Sequence, residues 1–140
     1  MLSSYDALFP ADDWVEIEMT ARLNGIDPVP ARLLYDQADP WAVTLVLNVG
    51  DRAEREWLFG RDLLASGMLR EVGDGDVRIS PEGDLVWVTL TSPSGRAELA
   101  FPRAAMEKAL EKTEDMVPPG AEGEFFDWDR EWDLFTGEAA

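Results

Sequence analysis

The chain has 140 residues, 46% of them apolar, which suffices for one core, since a domain of this length hides roughly two thirds of the surface its unfolded chain exposes. Twenty-nine acidic residues against 12 basic ones leave a net charge of −17, a field that repels phosphate backbones and anionic lipid surfaces. Histidine and cysteine are both absent, which excludes imidazole proton shuttles, thiol nucleophiles, Ser-His-Asp relays and Cys/His zinc sites.

No basic region followed by an apolar stretch opens the chain, and no run approaches the ~18 apolar residues of a membrane helix. The expectation is one cytoplasmic domain over 1–140, with a loose start at 1–12 and an acidic, aromatic C-terminal segment at 121–140.

From Trp14 to Leu23 apolar residues fall at every odd position from Val15, the period of a strand with one face on a core and one in water. Asn24-Gly25 breaks it, and Asp27-Pro28-Val29-Pro30, short of two backbone donors, reads as a loop or a sheet edge before a strand from Ala31 to Asp36. Asp39-Pro40 is a turn, and Ala42 to Val49 is β-branched and alternating. Glu54 to Gly60 completes a hairpin, with Trp57 and Phe59 on one face. Arg61 to Ser66 is a short helix, with Asp62 in the first turn, where a carboxylate suits the dipole, and Gly67 placed to end it.

Gly73-Asp74-Gly75 and Pro81-Glu82-Gly83-Asp84 are turns leading into strands at Asp76 to Ser80 and Leu85 to Thr91. The second is apolar on both faces, the pattern of a central strand covered on each side. Ser92-Pro93-Ser94-Gly95 closes a hairpin to Arg96 through Phe101, and Pro102 opens a helix to Met116 whose inner stripe is Met106, Ala109, Leu110, Thr113 and Met116. These elements predict an α+β fold of antiparallel sheets with about seven strands, a short middle helix and C-terminal helices.

Val117-Pro118-Pro119-Gly120 halts that helix, and the tail beyond carries seven acidic residues against Arg130 alone. On one helix Phe125, Trp128, Trp132 and Phe135 fall at i, i+3, i+7 and i+10, a single aromatic stripe. That stripe either docks on the domain's own sheet or is exposed to a groove or an oligomer partner, and sequence alone leaves both open.

Paired carboxylates do not assemble a hydrolytic site: Asp36 with Asp39, and Asp74 with Asp76, sit where turns need them. Exposed aromatics on a sheet can stack single-stranded bases, but such platforms sit in basic grooves. Trp57 and Trp87 on alternating strands read as core.

Four segments carry a family pattern. They are Ala31-Arg32-Leu33-Leu34-Tyr35-Asp36 with Asp39-Pro40-Trp41-Ala42-Val43; Glu56-Trp57-Leu58-Phe59-Gly60-Arg61-Asp62-Leu63-Leu64-Ala65-Ser66-Gly67; Gly73-Asp74-Gly75-Asp76-Val77-Arg78-Ile79-Ser80-Pro81; and Val117-Pro118-Pro119-Gly120. In order and spacing they resemble the SsgA-like proteins, the sporulation-specific cell division family of filamentous actinomycetes, and the tail around Phe126-Asp127-Trp128-Asp129 is most similar to the SsgB branch. Trp41 stands where tyrosine is usual, Gly60 where alanine is usual, a change that loosens a strand-to-helix junction, and Ser80 where an aromatic often sits.

The resemblance implies a non-catalytic protein without a cofactor that acts at the division septum, recruits the tubulin-like protein FtsZ and works beside other SsgA-like division proteins. It also implies a fold similar to the whirly-type single-strand binders, a homo-oligomeric, trimeric assembly, and membrane contact only through other proteins. A single-stranded nucleic-acid-binding role is the alternative that the fold likeness raises, and the charge of −17 opposes it. Partner contacts are expected at Arg61 and Asp62 in the strand-to-helix junction and at Phe125, Trp128, Trp132 and Phe135; the competing reading of Arg61 and Asp62 is a local ion pair or cap.

Overall fold

The computed structural model describes residues 14–48, 54–126, 128, 129 and 132. Among them eight strands form a sheet: β1 (Trp14–Leu23), β2 (Asp27–Asp36), β3 (Ala42–Leu47), β4 (Arg55–Gly60), β5 (Val72–Asp74), β6 (Val77–Glu82), β7 (Leu85–Ser92) and β8 (Gly95–Pro102). Three helices accompany them: α1 (Arg61–Gly67), α2 (Arg103–Met116) and α3 (Glu122–Phe125). The strand order is β4-β3-β2-β1-β8-β7-β6-β5, and every pairing is antiparallel.

Two meanders, β1 to β4 and β5 to β8, are therefore joined through β1 and β8, where the ladder holds two residue pairs, Arg22 with Ala100 and Leu23 with Leu99. The sheet curls so far that α1 touches β4 near one end of the order and β5 and β6 at the other, while α2 lies against β1, β7 and β8. One face of every long strand points into the enclosed space. Ala21, Leu33, Leu45, Ile79, Val86, Val88, Leu99 and Phe101 fill it, with Leu64 from α1 and Met106 and Ala109 from α2. Fully burying each large apolar side chain contributes about 1.5–3 kcal/mol, so this face rather than local propensity holds the strands in register.

Several sequence expectations change here. The strand expected at Ala31 begins at Asp27, because Pro28 and Pro30 pair with β1 while their missing donors face the side where β3 has ended. The Pro30 carbonyl receives the Asn48 N–H on that side, so this stretch is a sheet edge, as one of the two readings had it. Eight strands replace about seven because Gly73 and Asp74, read as part of a turn, join Val72 in a short strand that pairs with β6 across the tight turn at Gly75 (φ +60°). The strand from Leu85 is not covered on both faces: Val86, Val88 and Leu90 are buried, while Leu85, Trp87 and Thr89 are half-buried on the other side. Trp87 serves there as local cover, with its ring over Gly25 and its indole N–H on Glu82 at 3.3 Å.

The helix α1 ends at Gly67 as expected, but not through a left-handed cap: Gly67 is its last residue, against β6, where a Cβ would run into the Ile79 side chain, so the position needs glycine for close approach. The inner stripe of α2 holds as read, with Met106, Ala109 and Thr113 buried and Leu110 and Met116 half-buried. Arg103, the first residue of α2, ties three segments together: its backbone N–H meets the Asp84 carbonyl at 2.7 Å, its Nε the Gly83 carbonyl at 2.9 Å and its Nη1 the Met68 carbonyl at 2.9 Å.

Candidate partner-binding surface

At the end of β4, Gly60 adopts ordinary extended geometry (φ −67°, ψ 140°), and the chain turns into α1 without a side-chain cap. The next N–H, of Arg61, is instead held by the Trp41 carbonyl at 2.7 Å. This aims the Arg61 side chain inward, where it is 2% exposed. Its Nη1 donates to the Thr113 carbonyl at 3.0 Å and the Val117 carbonyl at 2.7 Å, and its Nη2 to Glu122 Oε2 at 2.8 Å. The guanidinium carbon also lies 5.1 Å from the centre of the Tyr35 ring.

A cation here suits the C-terminal end of α2, whose last carbonyls have no partner within the helix. The Glu122 carboxylate completes the arrangement. Its Oε1 accepts the Gly120 N–H at 2.8 Å, fixing the turn in which Gly120 takes φ +91°, and the hydrogen bond from Arg61 holds its carboxyl below the usual carboxylate range. Burial pushes the Tyr35 phenol up to about 12 against the lowering influence of Arg61, and its O–H donates to the Pro40 carbonyl at 2.9 Å. One buried polar knot thus fastens β2, the turn before β3, the β4–α1 junction, the end of α2 and the start of α3.

On the surface above this knot the tail meets Trp41. The Trp41 and Phe126 ring centres lie 4.8 Å apart, Phe126 and Trp128 4.6 Å, and Trp41 and Trp128 6.1 Å, all tilted or edge-on as aromatic quadrupoles prefer. Trp41 is 40% exposed and Trp128 60%, so the cluster is a ridge rather than a core. The Trp128 indole N–H donates to the Gly123 carbonyl at 3.2 Å.

The expected site residues separate accordingly. Arg61 is interior, its donors taken up by Thr113, Val117 and Glu122, which is the ion-pair reading of that position. Asp62 is exposed in the first turn of α1. Phe125 is half-buried against the core, whereas Trp128 and Trp132 are exposed. The single stripe is therefore corrected: α3 stops at Phe125, Phe126 is extended (φ −66°, ψ 135°), and the two Trp no longer continue the face of Phe125. Phe135 lies outside the described residues. Sequence reading missed Glu122 as the partner of Arg61, 61 residues away, and Trp41 and Phe126 as neighbours. For Trp41 a signal existed, a large aromatic just after a turn.

Among the described residues, no group of three or more Asp or Glu side chains is placed to hold a metal ion, and no helix is long and apolar enough to cross a membrane.

Fold and surface together define an α+β protein built on one curled antiparallel sheet, whose distinctive features are a buried ion pair and an aromatic ridge. The family model described as Streptomyces sporulation and cell division protein, SsgA, matches residues 29–122, and the chain belongs to that family. It is 46% identical over 116 residues to the sporulation-specific cell division protein SsgB of Streptomyces coelicolor, covering 80% of this chain and 85% of the relative. It is 41% identical over 108 residues to SsgB of Thermobifida fusca, covering 74% and 78%. A solved SsgB structure from work on mutations that correlate with longitudinal cell division during sporulation of Streptomyces coelicolor superposes with a TM-score of 0.76 at 42% identity, over 81% of this chain and 95% of that one. The crystal structure of an SsgA-like sporulation-specific cell division protein from Thermobifida fusca gives 0.77 at 34% identity, over 91% and 99%.

Proposed function

We propose that the chain is a non-catalytic adaptor of sporulation-specific cell division that brings FtsZ to future septum sites through protein contacts, alongside copies of itself and other SsgA-like division proteins. The observation that carries this reading is the Trp41–Phe126–Trp128 ridge: the exposed Trp41 and Trp128 rings packed on the half-buried Phe126, in a segment that the buried Arg61–Glu122 pair ties to the domain, are the kind of anchor that dominates protein interfaces. Family membership and the SsgB relatives supply the division setting. Asp62 and Trp132 are exposed and available to a partner, and Arg61 serves the surface by holding the start of the tail in place. Septal localisation then follows from the partners rather than from a membrane anchor.

The reading is tested by sedimenting FtsZ polymers with the purified protein. Co-pelleting that weakens in the Trp128→Ala, Trp132→Ala double variant is expected; unaltered FtsZ assembly and no protein in the pellet over micromolar concentrations refute direct recruitment.

A further inference from the structure

The outer face of the first meander is not flat. Register places Leu34 opposite Thr44 and Thr44 opposite Leu58, and Ala42 opposite Gly60. The small residues Ala42 and Thr44 on β3 therefore lie between the bulky Trp14 and Leu34 on one side and Leu58 on the other. The result is a groove of about 220 Å³, with Asp36 and Asp39 also lining it. Leu58, the outer wall, is 66% exposed in the middle of β4. Trp41, at one end of the aromatic ridge, directly precedes Ala42 of the floor in the chain.

Size and charge restrict what fits. Small-molecule sites run to roughly 300–1,000 Å³, so this groove suits one large side chain rather than a substrate or cofactor. Apolar walls call for an apolar side chain. The Asp36 carboxylate, in a chain of net charge −17 that repels acidic segments at long range, calls for basic residues beside it. The Asp36 carboxylate already accepts the Ala38 N–H at 2.8 Å through Oδ1, which fixes its direction while leaving its other oxygen for a cation.

We propose that this groove is a docking site for a partner-protein segment that carries one large apolar side chain flanked by arginine or lysine. It deepens the adaptor reading, on which it rests, by naming the chemistry of the segment recognised. The apolar side chain sits over Ala42 and Thr44 against Leu58, and a flanking cation meets Asp36.

The test uses the full chain and labelled pentapeptides, followed by fluorescence anisotropy at physiological ionic strength. Gly-Arg-Leu-Arg-Gly is expected to bind about tenfold more tightly than Gly-Arg-Gly-Arg-Gly, which lacks the apolar side chain, and than Gly-Glu-Leu-Glu-Gly, which reverses the charge. Filling the groove with Thr44→Phe, or removing its wall with Leu58→Ser, is expected to abolish that preference, with circular dichroism confirming that each variant is folded. Equal binding of both arginine peptides, or an unchanged preference in the two variants, overturns the proposal and leaves only general attraction to an acidic chain. A drop in oligomer mass in Thr44→Phe by light scattering, without an effect on peptide binding, also overturns it and assigns the groove to a second copy. FtsZ sedimentation with the same variants keeps the two readings apart: wild-type protein that binds the peptide but never pellets with FtsZ defeats direct FtsZ recruitment and not the groove.

Discussion

Replacing Glu122 with alanine strands a cation inside the protein. Arg61 would keep the Thr113 and Val117 carbonyls but lose its one anionic acceptor, and the Gly120 N–H would lose its own acceptor. A charge-assisted hydrogen bond contributes about 1.5–3 kcal/mol and a neutral one about 1, while breaking a buried pair on one side costs about 3–5 kcal/mol in all. The two retained carbonyls place Glu122→Ala near the lower end, at about 3 kcal/mol. At about 4 °C per kcal/mol for a chain of this size, the melting temperature should fall by about 12 °C. Arg61→Met should cost a similar amount, but the two together should cost far less than their sum, because neither charge is then left buried alone.

The same pair gives a pH signature. The Glu122 carboxyl is held below its ordinary value near 4.5 in the folded chain, so its contribution is complete above that value and is lost as pH falls through the lowered folded value. The stability gap between wild type and Glu122→Gln should therefore be widest at neutral pH and close in acid. Urea unfolding followed by circular dichroism measures both effects. A single-variant loss under about 1 kcal/mol, or strict additivity in the double variant, would refute the view that this pair fastens the tail to the domain.

Gly67→Ala should destabilise by about 1–3 kcal/mol or more, since the new methyl meets Ile79 and α1 must lift off β6; thermal unfolding reports it. Gly60→Ala should do the opposite, gaining about 0.4–1 kcal/mol in the same assay, because a Cβ there meets nothing nearer than 3.8 Å and φ is −67°. In an ultraviolet titration a phenol should ionise only near pH 12 and vanish from the curve of Tyr35→Phe, which should also lose about 1 kcal/mol as the Pro40 carbonyl gives up its donor. Trp128→Ala should change stability by well under 1 kcal/mol, yet alter the near-ultraviolet dichroism of the Trp41 cluster.

Alternation made the long strands legible: β1 was readable to the residue because one face is core and the other water, and α2 was readable from its stripe and its proline boundaries. Elements whose logic is not periodic were harder. Val72–Asp74 is three residues long with two of them in a turn-like Gly-Asp pair, and it exists only because β6 offers it a partner. Gly60 resembled a loosening of the junction, yet its φ and ψ are ones that alanine adopts freely, so the glycine confers no special geometry there.

At the candidate surface the residue types were visible and the pairings were not. Arg61 was singled out, but its acceptors are two backbone carbonyls and a glutamate on the far side of the chain, which no local spacing encodes. The aromatic stripe failed for a definite reason, an extended Phe126, after which the heptad-like spacing no longer projects onto one face. Asp36 and Asp39, read as turn formers, do sit in the turn, Asp36 through its Asx bond to the Ala38 N–H and Asp39 through its N–H on the Asp36 carbonyl, and both also border the groove.

The thin seam between β1 and β8 bears on how the chain reaches its native state. Within each meander every strand pairs with its neighbour in sequence, so most ladders close over short loops at low entropic cost. The seam, the two longer helices and the contacts of the C-terminal segment with Arg61 and Trp41 bring distant stretches together, which makes docking of two preformed halves the natural late event in folding. Substitutions in the β3–β4 hairpin should then slow refolding, whereas those at Leu23 or Leu99 should chiefly hasten unfolding, a division that stopped-flow measurements on single variants would resolve.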